Sequence, residues 1–360
     1  MTEPMINPHG APLIPLSLQL DLIAGMLNAE LPDNPVYDGF ELQWFDDDRH
    51  GTGMLVFLSR RDDRRVDYYQ QLGLTIDRSG YEIGGGTRSW NVIDFDSAQF
   101  DVADDGVHAE VRFTDVDGRS IDIRIDDRDG RARHRGGLLA PVGANIEHPT
   151  NLLLVWMPVF DLVRDSGSSP VIRIDGVDAH LGVLPGAKLH RRHLIKYAAP
   201  LVALQVNPVA HSHLTTPPRQ SQRWRSGLLT GVSTQIGEHE AELVLEPGLP
   251  DLTGDDVSER SGRWHVTVDD VRLTGGVWRC RSTYSGARML LEVDERWKPG
   301  PLPWLMRIVT RIIPVFRRWP TTYRWAGEVR HGDPPTLTGR WHRTGRQSAD
   351  VYAQATRPRP

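Results

Sequence analysis

The chain has almost no cysteine and almost no lysine. Cys280 is the single cysteine, which excludes an intrachain disulfide framework and any cysteine-based metal site. That usage fits a reducing compartment, so a cytoplasmic location is expected. Of 42 basic residues, only Lys188, Lys196 and Lys298 are lysines. No apolar run reaches the ~18 residues that a membrane-spanning helix needs. The opening "MTEPMINPHGAPLIPLSLQL" carries an early acid and no basic n-region, so it does not read as a signal peptide. Chemical signatures are also missing. "GGG" at Gly84 to Gly86 lacks the strand-to-helix setting of a dinucleotide loop, and there is no P-loop, so no nucleotide cofactor is expected. Neither a Gly-x-Ser-x-Gly elbow nor a His-Glu-x-x-His pair occurs.

What is present is globular. The 360 residues are 39% hydrophobic and 25% charged, enough for two ordinary domains or one large β domain. The net charge of -5 conceals a division, because residues 296–360 alone carry +10. Two explanations fit: an anionic partner surface, or a basic tail folded against an acidic body.

Hydrophobic periodicity gives the organisation. In "PLSLQLDLIAGMLNAELPDNP", Leu22, Ile23, Met26, Leu27 and Leu31 recur at helical spacing, which predicts a helix from near Ser17 to Pro32. Beyond it come short alternating runs such as "GFELQWFDD", "TGMLVFLSR" and "RSWNVIDFD", separated by Asp, Arg and Gly clusters. "VHAEVRFTDVDGRSIDIRIDD" reads as a hairpin around Asp117-Gly118 in a tight primed turn. The expected class is mainly β, with two antiparallel barrel or sandwich units. Residues 1–35 form the helical N-terminal segment, 36–213 the first unit, 226–345 the second with a helix over 302–319, and 346–360 a tail. The stretch "HLTTPPRQSQRWR", polar and with Pro217-Pro218 inside it, is read as the boundary.

Three Gly-x-Trp triplets lie in the second half: Gly262-Arg263-Trp264, Gly276-Val277-Trp278 and Gly339-Arg340-Trp341. They resemble the strand-start signature of lipocalin-like barrels, in particular the two-barrel members of the hydroxyneurosporene synthase and AttH type. The Glu-Trp-Trp-Tyr stretch of those proteins has no counterpart here; "GFELQWFDD" is its nearest approach. The resemblance implies lipocalin-like units and an apolar small-molecule ligand in a barrel cavity. On such a scaffold, two functions are expected. One is a cofactor-independent cyclase, hydratase or isomerase for a polyketide-, terpenoid- or lipid-like substrate. The alternative is a non-catalytic binding or transfer protein that docks on membranes.

Candidate residues follow from clustering. "KLHRRHLIKY" holds His190, His193 and Lys196 in ten positions. The apolar setting "LIKYAAPLVALQV" suits either a lysine whose pKa falls on burial or one that keeps its ammonium in water. Glu147 and His148 precede the apolar run "LLLVWMPVF" and offer proton transfer at a cavity rim. The catalytic candidates are therefore Glu147, His148, His190 and Lys196. His211 and His213 add two imidazoles, but without a complete ligand set, so no metal is expected. Asp126, Asp127 and Asp129 in "RIDDRDGRARH" read as a solvated hairpin end. Near the C-terminus, Arg307, Arg311 and Arg318 form one stripe, and Trp304, Ile308, Ile312, Val315 and Trp319 the opposite side, with a kink at Pro314. This describes either an interfacial helix in peripheral contact with a membrane or an amphipathic helix packed across a barrel mouth. Nucleic acid is not an expected partner, because the aromatics are not interleaved in a basic loop.

Overall fold

The computed structural model describes residues 14–78, 81, 86–142, 149–165, 169–184, 186–207, 220–252, 259–300, 302, 304–330, 332 and 336–343. Their secondary structure is dominated by strands in three sheets, two of them curled into half-barrels, which is the mainly β, two-unit architecture expected.

The N-terminal helix is not formed. Residues 18–30 are two strands, β1 (Leu18–Ile23) and β2 (Gly25–Glu30). The apolar residues that mimic a helical stripe belong to two strand halves buried against different neighbours. Leu18 and Leu20 alternate in the first half, and Leu27 and Ala29 in the second. β1 and β2 are one bent strand. They pair with β15 (Leu201–Val206) and β14 (Arg192–Ala198), which are likewise one bent strand. A single register runs through the break, with Ile23 facing Leu201 and Met26 facing Ala198. On the other side both halves pair along β11 (Leu152–Arg164), where Trp156 faces Val202 and Phe160 faces Ala198. The interruption falls at the same level in all three, at Ala24, at Ala199-Pro200 and around Pro158. Proline lacks the N–H that the ladder needs, so the sheet creases along this line.

The crease divides the ten-stranded sheet. Its lower half continues from β2 through β3 (Tyr37–Asp47), β4 (Gly51–Arg60) and β5 (Val66–Gln71) to β6 (Thr87–Ile93), which pairs in parallel. β10 (Gly136–Ala140) borders β11. A five-stranded sheet covers one face of this half: β7 (Ser97–Ala103), β8 (Gly106–Thr114), β9 (Ser120–Asp126), β12 (Val171–Ile174) and β13 (Val177–Asp178). The core between them holds Leu27, Leu42, Val56, Tyr69, Val111, Ile123 and Tyr197. The 115–119 loop joining β8 to β9 is longer than the primed turn expected. Gly118 has positive φ but Asp117 does not. The loop is organised by the buried Asp115 carboxylate, which accepts from the Asp117 and Arg119 N–H groups and from the Tyr37 hydroxyl at 2.6 Å.

Buried ion pairs stand at both ends of this sandwich. Arg60 reaches Asp67 at 2.5 Å and Asp117 at 2.6 Å, and Asp67 is fully buried. Asp127 was expected in a solvated hairpin end but is 1% exposed. It meets Arg133 at 2.6 Å and accepts from the backbone N–H groups of Val107 and Arg164. Desolvation makes either charge costly alone, so removing one partner of such a pair costs about 3–5 kcal/mol.

The second unit is an eight-stranded antiparallel meander in strict chain order. It comprises β16 (Gln220–Arg225), β17 (Leu228–Ile236), β18 (His239–Leu249), β19 (Arg260–Val268), β20 (Val271–Thr283), β21 (Gly286–Glu295), β22 (Tyr323–Arg330) and β23 (Thr336–Arg343). β16 occupies half of the stretch read as a boundary, so this unit already begins at Gln220. All three Gly-x-Trp triplets sit within strands, and the first two are reciprocal partners: Gly262 faces Trp278 and Trp264 faces Gly276. A Cβ on Gly262 would lie 2.6 Å from the Trp278 indole nitrogen, so each glycine makes room for the neighbouring ring. Trp264, Trp278, Trp325 and Trp341, all buried, fill the inner face. α2 (Trp304–Ile312) and α3 (Pro314–Arg318) close it, with the break at Ile313 before Pro314. The two units share one apolar cluster through β1, β11 and β15. At the joint the Trp341 indole donates to the carbonyls of Val206 and Asn207.

Gly25 lets β7 approach the crease. A Cβ there would lie 2.2 Å from Cε1 of Phe100. Gly25→Val is expected to lower stability by about 1–3 kcal/mol through overpacking, with partial recovery when combined with Phe100→Ala. Urea denaturation midpoints measure both effects; an unchanged midpoint in the single variant would show that the contact does not constrain the bend.

Candidate functional site

One transverse row of the lower half-sheet collects the interior polar groups. Across five successive strand pairings, Leu162 faces Lys196, Lys196 faces Asn28, Asn28 faces Glu41, Glu41 faces Phe57, and Phe57 faces Tyr68. The parallel pair then sets Trp90 beside Tyr68, with rings stacked at 4.6 Å. Directly paired residues project on the same face. It is the face turned away from the five-stranded sheet, since Leu27, Leu42 and Val56 alternate to the other side. The adjoining row of that face holds Met26, Gln43, Leu55 and Gln70.

Glu41 is the centre of this arrangement. Its carboxylate accepts from Gln43 Nε2 at 2.7 Å and from Asn28 Nδ2 at 3.2 Å. Burial raises its pKa above the ordinary carboxylate value, against the lowering effects of those two amides and of the Lys196 charge. Lys196 acts on it through space and makes no ion pair with it. Yet Asn28, Glu41, Lys196, Tyr81 and Trp90 all retain accessible surface.

An aromatic wall stands beside the carboxyl. Phe57, Tyr68, Tyr81 and Trp90 are in mutual ring contact, with centroids 4.6–6.0 Å apart. Polar atoms of the wall are tied down. The Tyr81 hydroxyl donates to Gln43 Oε1 at 3.3 Å, Trp90 Nε1 donates to Gln70 Oε1 at 2.8 Å, and the Tyr68 hydroxyl bonds the Tyr81 carbonyl. Burial raises the Tyr81 pKa, so its hydroxyl stays neutral. The result is the Glu41 carboxyl, with Lys196 and the Asn28 and Gln43 amides beside it, facing an aromatic wall whose Trp90 ring carries the Arg78 guanidinium 5.1 Å from its centroid.

Of the candidates read from sequence, Lys196 belongs to this site. His190 does not join it. It ends α1 (Ala187–His190), where its ring accepts from the Arg192 N–H at 3.2 Å. From Arg192 to Lys196 the strand advances about 13 Å. Glu147, His148, His211 and His213 lie outside the described residues. His193 alternates to the opposite face from Lys196 and leaves a buried Nε2 without a partner. Among the described residues no cluster of three or more His, Cys, Asp or Glu is disposed to hold a metal. Cys280 is buried on β20, and burial raises its thiol pKa, so it is no nucleophile. Glu41 is the residue that sequence reasoning missed. The signal was the alternation of Glu41 and Gln43 with Phe40 and Leu42, which reads equally as a solvent face.

The late helix also differs from expectation. Leu305, Met306 and Thr310 are its buried side, and Trp319 is packed into the core. Ile308 and Ile312, expected on the side opposite the arginines, are exposed together with Arg307, Arg311 and Arg318. Trp304 opens α2, and its side chain is outside the described residues. No described helix is long and apolar enough to cross a membrane. Comparison with protein-family models, curated proteins and solved structures finds no significant match.

The Glu41 geometry predicts a pH effect. With the folded-state pKa raised, the native protein binds the proton more tightly than the unfolded chain. Glu41 therefore imposes no penalty below the ordinary carboxyl value and a growing one as pH rises from there to the folded pKa. Glu41→Gln is expected to remove this decline and to be more stable than wild type at neutral pH. Denaturant titrations at a series of pH values test it; parallel profiles for the two proteins would contradict the assignment.

Proposed function

We propose that the first β unit binds an apolar small molecule against the Phe57–Tyr68–Tyr81–Trp90 wall and converts it without a redox cofactor, using Glu41 as the proton donor. The observation that carries this reading is a reachable interior carboxyl whose pKa burial raises, set beside four aromatic rings. A carboxyl group whose pKa is raised by burial keeps its proton to higher pH than a free one, which suits it to general-acid work. It adds its proton to a double bond or carbonyl of the substrate. The carboxylate left behind takes a proton from a neighbouring carbon, which completes an isomerisation or cyclisation. In a hydration, water adds its oxygen to the cationic carbon and gives the proton back to Glu41. Lys196 stabilises the transient carboxylate, while Asn28 and Gln43 fix its orientation. Rigid aromatic walls select one substrate conformer, which supplies the positioning part of the rate enhancement.

The test begins with native mass spectrometry of protein purified from its own host, which identifies the retained molecule. That molecule is returned to the wild-type protein and to Glu41→Gln and Lys196→Met in deuterium oxide. The expected result is a product with deuterium on carbon, formed by wild type and reduced at least ~100-fold in Glu41→Gln. Affinity should stay within ~10-fold, or ~1.4 kcal/mol. A molecule that returns unchanged and unlabelled from the wild-type protein would remove the catalytic reading and leave a binding or transfer protein.

A further inference from the structure

The second unit carries a pocket of about 550 Å³ between the segment after β21 and the two helices. Five cations line it: Arg296, Lys298, Arg307, Arg311 and Arg317. No carboxylate does. None of the five makes an ion pair among the described residues, whereas their neighbours are paired, Arg263 with Asp294 and Glu295, and Arg272 with Glu295. Arg317 is held in place by its Nε donating to the Arg311 carbonyl at 3.0 Å. Five unneutralised charges around one concavity repel one another, and an anion seated there would relieve that repulsion.

The surroundings say what kind of anion. Ile308, Ile312 and Ile313 are 44%, 64% and 40% exposed on the same helical segment. A free anion gives these side chains no burial, whereas a lipid brings apolar material beside its charged group. Exposed aliphatic residues interleaved with arginines on a short helix are the pattern of an interfacial element. We propose that this pocket seats the phosphate group of an anionic phospholipid at a membrane surface, with Ile308, Ile312 and Ile313 entering the acyl boundary. The arginines supply forked donors to the phosphate oxygens, and Lys298 adds a point charge. This site uses different residues from the Glu41 interior, and either can fail without the other.

Sedimentation with vesicles tests it on the full chain. Binding to phosphatidylcholine vesicles containing phosphatidic acid, and none to phosphatidylcholine alone, is expected, weakening as salt rises. Arg307→Glu with Arg311→Glu should weaken binding at least ~10-fold. Ile312→Asp should weaken it while leaving the charge of the pocket intact. Both arginines and Ile312 are exposed, so unchanged denaturation midpoints will show that the variants are folded. Absence of vesicle binding, or vesicle binding indifferent to the arginine reversals, overturns the proposal. Saturable binding of inorganic phosphate alone, with no preference for anionic vesicles, would overturn the lipid assignment by showing a soluble anion site.

Discussion

The fold depends on one crease. In three adjacent strand lines, β1–β2, β14–β15 and β11, the pairing is interrupted at a common level while the register is kept on either side. Two prolines and Gly25 lie along it. Because the ladder is interrupted without being shifted, one sheet serves two cores. Above the crease, Leu18, Leu20, Val202 and Leu204 join the tryptophan-filled interior of the second unit. Below it, Leu27, Ile195 and Tyr197 pack on the five-stranded sheet.

The bend also decides where polar groups can survive. The second unit fills its inner face with indoles set against glycines, which leaves little reason for titratable side chains there. The lower half of the first sheet gives one face to a dry sandwich and the other to the row from Lys196 to Trp90. A buried carboxylate is costly unless it is hydrogen-bonded, paired or protonated. Glu41 has two amide donors and a distant cation, and its raised pKa is the remainder of that cost. Such a group contributes nothing to stability that Gln would not, so its presence argues for chemistry.

The alternation of residues made most strands legible, and with them the β class and the two units. The failures share a cause: burial depends on register across strands, which local spacing does not report. Leu22, Ile23, Met26, Leu27 and Leu31 fit a helix because a strand bent at Ala24 exchanges its buried faces between two cores. Glu41 and Gln43 looked like a solvent side because their partners Asn28 and Lys196 come from 13 and 155 residues away. Asp127 sat in a run of charges, and only the return of Arg133 and Arg164 buries it. On the late helix, periodicity found the arginines, but the second unit's core recruits Leu305, Met306 and Trp319 rather than Ile308 and Ile312.

The central claim is that burial raises the pKa of the Glu41 carboxyl and that the Lys196 charge tempers the rise. Carbon-13 NMR of the glutamate side-chain carboxyls, with Glu41 assigned by its loss in Glu41→Gln, follows its titration directly. The account predicts a midpoint above the ordinary carboxyl range, moving higher in Lys196→Met as the stabilising charge is removed. A midpoint at or below the ordinary value, unmoved by loss of Lys196, would contradict it.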